Sequence, residues 1–336
     1  MPAAVLALGL AACSTPTDSA APIQSEGDAG SVTVYSGRSE ELVGPLLEQF
    51  SEATGIEVEA RYGDTAEMAN LILTEGENSP ADVFFAQDAG ALGAVAAEGL
   101  LTALPDETLE MVDERFRSPN GEWVGVSGRA RVVVYNTEAL NESDLPDSIF
   151  GFTDPEWSGR IGWAPTNGSF QSFVTALRVI EGEDRAREWL EGIQANDPSV
   201  YEGNNPALDA VIAGEIDVAF VNHYYLMQRL AEDPDAPAAN YFLTGGDPGA
   251  LVNVAGAGIL STSTNEEAAR ELVAYLLSPD AQEYFATETK EYPLVAGVEA
   301  DAELPSLESI GTPEIDLSDL SDLEGTLELL QEAGIL

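Results

Sequence analysis

The chain has 336 residues, 44% of them apolar, enough for a globular body of about two domains. Its 60 acidic side chains meet only 13 basic ones, a formal net charge of −47, and so negative a surface repels nucleic acid and anionic lipid headgroups, which excludes both as partners. No stretch approaches the ~20 apolar residues that cross a bilayer, and a single cysteine, Cys13, excludes an internal disulfide.

The first residues form a short apolar run ending in Leu10-Ala11-Ala12-Cys13, the pattern of a bacterial lipobox, with a small residue before a cysteine that is cleaved and lipidated. The positive segment that opens such a signal does not precede Val5, so the true start is expected upstream of Met1. Residues 14–30 are rich in Ser, Thr, Pro, Ala, Asp and Gly and read as a flexible tether. From Ser31 strand and helix patterns alternate. Val32–Tyr35 is a strand, followed by a helix with Leu42, Leu46, Leu47 and Phe50 on one face. Ile56–Ala60 is a strand, Thr65 opens a helix through Met68, Leu71 and Ile72, Asp82–Ala86 is a strand, and Ala89–Gly99 is a helix. Strands separated by helices of ~10–15 residues indicate βαβ units and a mainly parallel sheet.

A second such region begins at Gly159–Trp163, continues through helices at Ser169–Glu181 and Asp184–Asn196, and reaches a strand at Asp217–Val221. After the turn Asp247-Pro248-Gly249, the apolar stretch Leu251–Leu260 returns the chain to the first sheet. A helix at Glu266–Leu277 follows, and from Asp316 leucines at three- and four-residue spacing predict an acidic amphipathic helix docking on the body.

Catalytic chemistry is poorly represented. After Cys13 there is no cysteine nucleophile, His223 is the only histidine, and there is no Gly-x-Ser-x-Gly elbow. Lys290, the only lysine, sits in Thr289-Lys290-Glu291 and excludes a phosphate loop ending in Gly-Lys-Ser/Thr. The sequence therefore reads as a binding protein and not an enzyme.

Three helix starts look suited to an anion, because free N–H groups at the positive end of a helix face outward there. They are Pro165–Phe170 with Asn167, Gly168 and Ser169, then Gly203-Asn204-Asn205-Pro206, then Asn222. Each is also an ordinary cap. Arg38, Arg129 and Arg131 would add positive charge. Beyond Asn222 come His223, Tyr224 and Tyr225, at a strand-to-helix junction where open α/β sheets bind ligands. Paired tyrosines pack in ordinary cores, but a phenolate is also a hard donor suited to Fe(III).

Val34-Tyr35-Ser36-Gly37-Arg38, Ser79–Asp88, Ser127–Asn136, Trp163–Phe170, Asn222–Tyr225 and Tyr292–Val295, in that order, resemble the ferric-iron-binding solute receptors of ABC importers, the bacterial transferrin-like branch of periplasmic binding proteins. The resemblance runs from Ser31 to the C-terminus. It implies an α/β two-lobed periplasmic-binding-protein fold of type II, with residues 31–130 and 255–336 as one lobe and 131–254 as the other, hinged near Gly128–Val134 and Val254–Ile259. It implies Fe(III) as transported ligand on Tyr224 and Tyr225, and phosphate or carbonate as synergistic anion on Asn167, Gly168, Ser169, Asn204 and Asn222, with Arg129 near the metal. It further implies an extracytoplasmic monomer, anchored by lipid on Cys13, that delivers iron to an ABC permease. The chain departs from the family pattern in having Ser39 where some members have a histidine ligand, Gln87 where they have a glutamate, and Phe170 near a tyrosine of another subgroup. Gln87 and Asp88 are then candidates to complete the shell, and the alternative is a protein of the same fold for an organic cation or a phosphonate-type ligand.

Overall fold

The computed structural model of the chain describes Met1 and residues 30–336, so Cys13 and the expected tether before Gly30 lie outside the described residues. Among the described residues no helix is long and apolar enough to cross a membrane.

The first lobe is built on β1 (Ser31–Ser36), β2 (Glu57–Tyr62) and β3 (Val83–Ala86), all parallel, with β4 (Leu101–Thr102) on its far side. β3 is buried on both faces and reads Val-Phe-Phe-Ala, whereas β2 is the edge and shows Glu57 and Glu59 to solvent. Helices α1 (Glu40–Thr54), α2 (Thr65–Glu75) and α3 (Ala89–Ala97) follow β1, β2 and β3, and a short α4 (Asp106–Leu109) follows β4. Helix α1 turns Val43, Leu46, Leu47 and Phe50 inward, close to the predicted face.

One element was not evident from the spacing of apolar residues: β5 (Val124–Asn136), thirteen residues long and buried along its whole length. Its first half pairs with β10 (Val252–Leu260), and its second half pairs with β8 (Val218–Asn222) and β9 (Ala238–Tyr241). β10 in turn pairs with β3. β5 and β10 therefore run antiparallel out of the first lobe into the second, whose sheet is completed by β6 (Ile161–Trp163) and β7 (Ser199–Val200). Around it lie α5 (Gly168–Glu181), α6 (Glu183–Ala195), α7 (Asn204–Ile212) and α8 (His223–Glu232). The chain returns to the first lobe through α9 (Glu266–Leu276), α10 (Pro279–Tyr284) and β11 (Tyr292–Pro293), which pairs with β5.

The tail departs from the expected single helix. After a short α11 (Leu307–Ile310), residues Leu317–Ser321 form a 3-10 turn, and α12 (Leu323–Glu332) begins afresh. Asp322 separates them: its carboxylate accepts the Gly325 N–H at 3.0 Å and caps α12, so the leucines divide between two faces. The 3-10 turn packs on α3, where a Cβ on Gly93 would lie 2.6 Å from the Ser318 carbonyl. Helix α12 instead docks on α5, with Thr326 and Thr175 hydroxyls 2.7 Å apart and Arg178 donating to the Asp322 carbonyl. The last helix thus belongs with the second lobe, whereas the sequence reading placed residues 255–336 entirely with the first.

Candidate functional site

Strand β8 delivers Asn222 to the start of α8, so Tyr224 and Tyr225 fall in its first turn. The Tyr224 and Tyr225 rings lie 4.3 Å apart and are tilted by 31°, close enough for the two phenols to influence each other. Tyr224 is buried, and burial together with the neighbouring phenol lifts its hydroxyl above the ordinary tyrosine range. Asn222 is extended and its side chain caps nothing. Its Oδ1 accepts from Arg131 Nη1 at 3.3 Å, leaving the first N–H groups of α8 free of a side-chain cap.

His223 replaces the missing cap as the anchor of α8. Its ring is fully buried; Nδ1 accepts the Ala130 N–H at 3.1 Å, so Nε2 carries the proton and donates to the Lys290 carbonyl at 2.9 Å. Burial holds its pKa down to about 4, keeping it neutral.

Three buried arginines surround the tyrosines. Arg38, 1% exposed, is paired through both terminal nitrogens with Glu291, which also accepts from Ser127. Burial acts against the charges, but Arg38 holds the Glu291 carboxyl below its usual range and Glu291 holds Arg38 above its own. Arg129 and Arg131, 3% and 5% exposed, have no carboxylate at ion-pair distance among the described residues. In a chain with 60 carboxylates, two buried guanidiniums without a carboxylate partner leave positive charge that the described side chains do not neutralise. Arg129 donates to the Gln87 carbonyl, and its buried Nε has no partner. Arg131 reaches Ser169 Oγ, Asn222 Oδ1 and the Phe220 carbonyl, and burial lowers its pKa to about 10, still charged at neutral pH.

The other predicted anion residues gather on the same lobe. Asn167 Oδ1 accepts from the Ser169 N–H at 3.0 Å and from Ser169 Oγ at 2.6 Å, which caps α5. Asn204 Nδ2 donates to Asn167 Oδ1 and Ser169 Oγ, while its buried Oδ1 has no partner. Gly168 borders open space, so backbone can approach a ligand there. Asn167, Ser169, Asn204 and Asn222 are thus linked into one network through Arg131.

Gln87 and Asp88 lie on the opposite lip. The Asp88 carboxylate caps α3 by accepting the Ala91 N–H at 3.0 Å, and burial raises its pKa. Gln87 contributes its carbonyl to Arg129 and its N–H to Thr65 Oγ1. Ser39 is exposed, and Phe170 packs edge-on against Trp163 at 5.6 Å. Among the described residues no group of three His, Cys, Asp or Glu side chains is placed to hold a metal ion.

Residues 78–314 match the family described as bacterial extracellular solute-binding protein. The chain belongs to that family. This solute-binding protein is 35% identical over 308 residues to the major ferric iron-binding protein of Neisseria meningitidis, covering 90% of this chain and 93% of that one. It is 34% identical over 327 residues to iron uptake protein A2 of Synechocystis, covering 93% and 92%. Iron-bound HitA from Pseudomonas aeruginosa superposes with a TM-score of 0.85 at 35% identity, over 90% of this chain and 99% of that one. The Trichodesmium protein IdiA (FutA), in complex with iron and citrate, gives 0.80 at 30% identity over 91% and 100%. The fold is accordingly the two-lobed periplasmic-binding-protein fold that the sequence resemblance implied, and the family is one of solute-binding transport proteins, not enzymes.

Sequence reasoning had offered Arg38 and Arg131 only as added positive charge, and had not assigned Glu291, His223 or Asn253 a role in the site. Arg131 had a legible signal, since it alternates with Arg129 on a strand of a very acidic chain. Asn253 and Glu291 had none, because only tertiary contacts bring them to the cleft floor.

Proposed function

We propose that this protein captures Fe(III) between its lobes through the phenolates of Tyr224 and Tyr225, together with a synergistic anion held by the arginine and asparagine network. The observation that carries this reading is the neighbouring pair of phenols beside Arg129 and Arg131, buried cations without carboxylate partners. Fe(III) on two phenolates keeps one net positive charge, and the two guanidiniums add two more, so a multiply charged anion is needed to neutralise the buried site. Phosphate or carbonate meets that need on Arg131, Ser169, Asn204, Asn222 and the N–H groups at Gly168, with Arg129 facing it from the floor. The relatives named for iron support the cation, and the citrate in the Trichodesmium complex extends the anions to be tested to carboxylates.

Because Tyr224 holds its proton more tightly than an exposed phenol, iron must displace that proton, and affinity falls as pH drops. Residues 31–130 with most of 255–336 would close on 131–254 by bending β5 and β10. The loaded monomer would hand the ion to an ABC permease outside the cytoplasm, held at the membrane by a lipid on Cys13.

The test is spectroscopic. Ferric citrate added to the apo protein should give a saturable visible tyrosinate-to-iron charge-transfer band, strengthened by phosphate or carbonate. Tyr224→Phe and Tyr225→Phe should each weaken binding by at least ~100-fold, since losing even an outer-shell partner costs a metal site up to about that much. A flat spectrum from the wild-type protein would overturn iron in favour of an organic cation or phosphonate-type ligand.

A further inference from the structure

Asn253 lies on β10 directly opposite Arg129 of β5, on the two strands that join the lobes, and is 8% exposed. Its Oδ1 accepts the N–H of Ala89 at 3.3 Å, and its Nδ2 donates to Ser172 Oγ at 2.8 Å. Ala89 is the first residue of α3 in the first lobe, directly after Gln87 and Asp88. Ser172 is in the second turn of α5 in the second lobe, three residues beyond Ser169. One amide therefore takes a donor from one lip of the cleft and gives a proton to the other. Arg129, from the paired strand, reinforces the first of these by holding the Gln87 carbonyl. Asn253 also lines a small cavity with Arg129, Arg131, Ser169 and Asn222.

The chemistry admits few substitutes. The Ala89 partner is a backbone N–H, which fixes the amide oxygen on that side and the NH2 group on Ser172. Aspartate would lose the donor, and glutamine would overshoot by one methylene. A strand side chain stands roughly perpendicular to its sheet and stays with the pivot while the lobes swing about it. Both bonds can be satisfied together only at one interlobe angle.

We propose that Asn253 is a positioning residue that sets the angle between the lobes and thereby the rate at which bound ligand leaves. The link between angle and release rests on the iron reading above; the angle itself does not. It therefore has its own test in the ligand-free protein. Amide hydrogen exchange at Ala89 should speed up by about tenfold in Asn253→Ala, the effect of losing a buried hydrogen bond, while amides in the core of β3 keep wild-type protection. Small-angle scattering should show a larger radius of gyration than wild type. With iron loaded, release to a chelator should be about tenfold faster, and the charge-transfer maximum should stay in place because Tyr224 and Tyr225 are untouched. Ser172→Ala, which removes one bond at smaller risk to folding, should move the same readouts in the same direction by less.

Unchanged Ala89 exchange, or an unchanged radius with unchanged release, would overturn the proposal. So would a shift of the band maximum, which would make Asn253 a residue acting on the phenolates instead. If the wild-type protein shows no band at all, the iron reading fails, and the exchange and scattering results still decide the role of Asn253.

Discussion

The imidazole of His223 accepts the backbone N–H of Ala130 through Nδ1 and donates to the Lys290 carbonyl through Nε2, so the only histidine of the chain binds the tyrosine-bearing helix to a crossover strand and to the first lobe. A charged ring would lose the Ala130 bond, because both nitrogens would then be donors. Burial accordingly lowers its pKa from 6.5 to about 4. Between those values the unfolded chain binds a proton that the native ligand-free protein refuses, so stability falls as pH drops through the window. The loss should approach about 3 kcal/mol near pH 4. Denaturant titrations of wild type and His223→Gln should show a stability gap that changes by about this total across the window, since the carboxylates titrate in both. Parallel curves would show that His223 protonates in the native state.

Arg131 links Ser169 and Asn222 and has no carboxylate of its own among the described residues. Arg131→Gln should weaken iron retention in phosphate by roughly 10- to 100-fold, the range for losing a charge-assisted hydrogen bond. It should also flatten the dependence of the visible band on phosphate concentration. Retained phosphate dependence would move the anion away from this network.

The 3-10 turn at Leu317–Ser321 lies flush on α3 because Gly93 carries no side chain. Gly93→Ala places a Cβ 2.6 Å from the Ser318 carbonyl, which belongs to backbone and cannot rotate away. The expected cost is about 1–3 kcal/mol of unfolding free energy, read by chemical denaturation. A neutral or stabilising result would mean that the C-terminal segment is free to shift outward.

The net charge of −47 also sets a salt dependence. Raising ionic strength from about 0.01 M to about 1 M shrinks the screening length from roughly 30 Å to roughly 3 Å and relieves carboxylate repulsion. The melting temperature should climb across that range. A fall would mean that surface ion pairs such as Arg187–Glu332 and Arg270–Glu266 outweigh the repulsion.

By itself the sequence determined the alternation of β1, α1, β2, α2, β3 and α3, because buried parallel strands and amphipathic helices write their periods into apolar spacing. It also marked the pair Tyr224-Tyr225 and the helix start at Asn167–Ser169, where local chemistry is contiguous in the chain. The length of β5 was hidden by Gly125, Ser127, Gly128, Arg129 and Arg131, polar or small residues that interrupt the strand pattern at the cleft floor. Tertiary structure alone decided what surrounds the tyrosines. Glu291 meets Arg38 across 253 positions, and Asn253 meets Ala89 and Ser172 across 164 and 81. It also decided that Asn222 faces Arg131 instead of capping α8, and that α12 crosses to α5. These choices turn on burial and the need to pair polar groups removed from water, and both depend on which distant segments fold together.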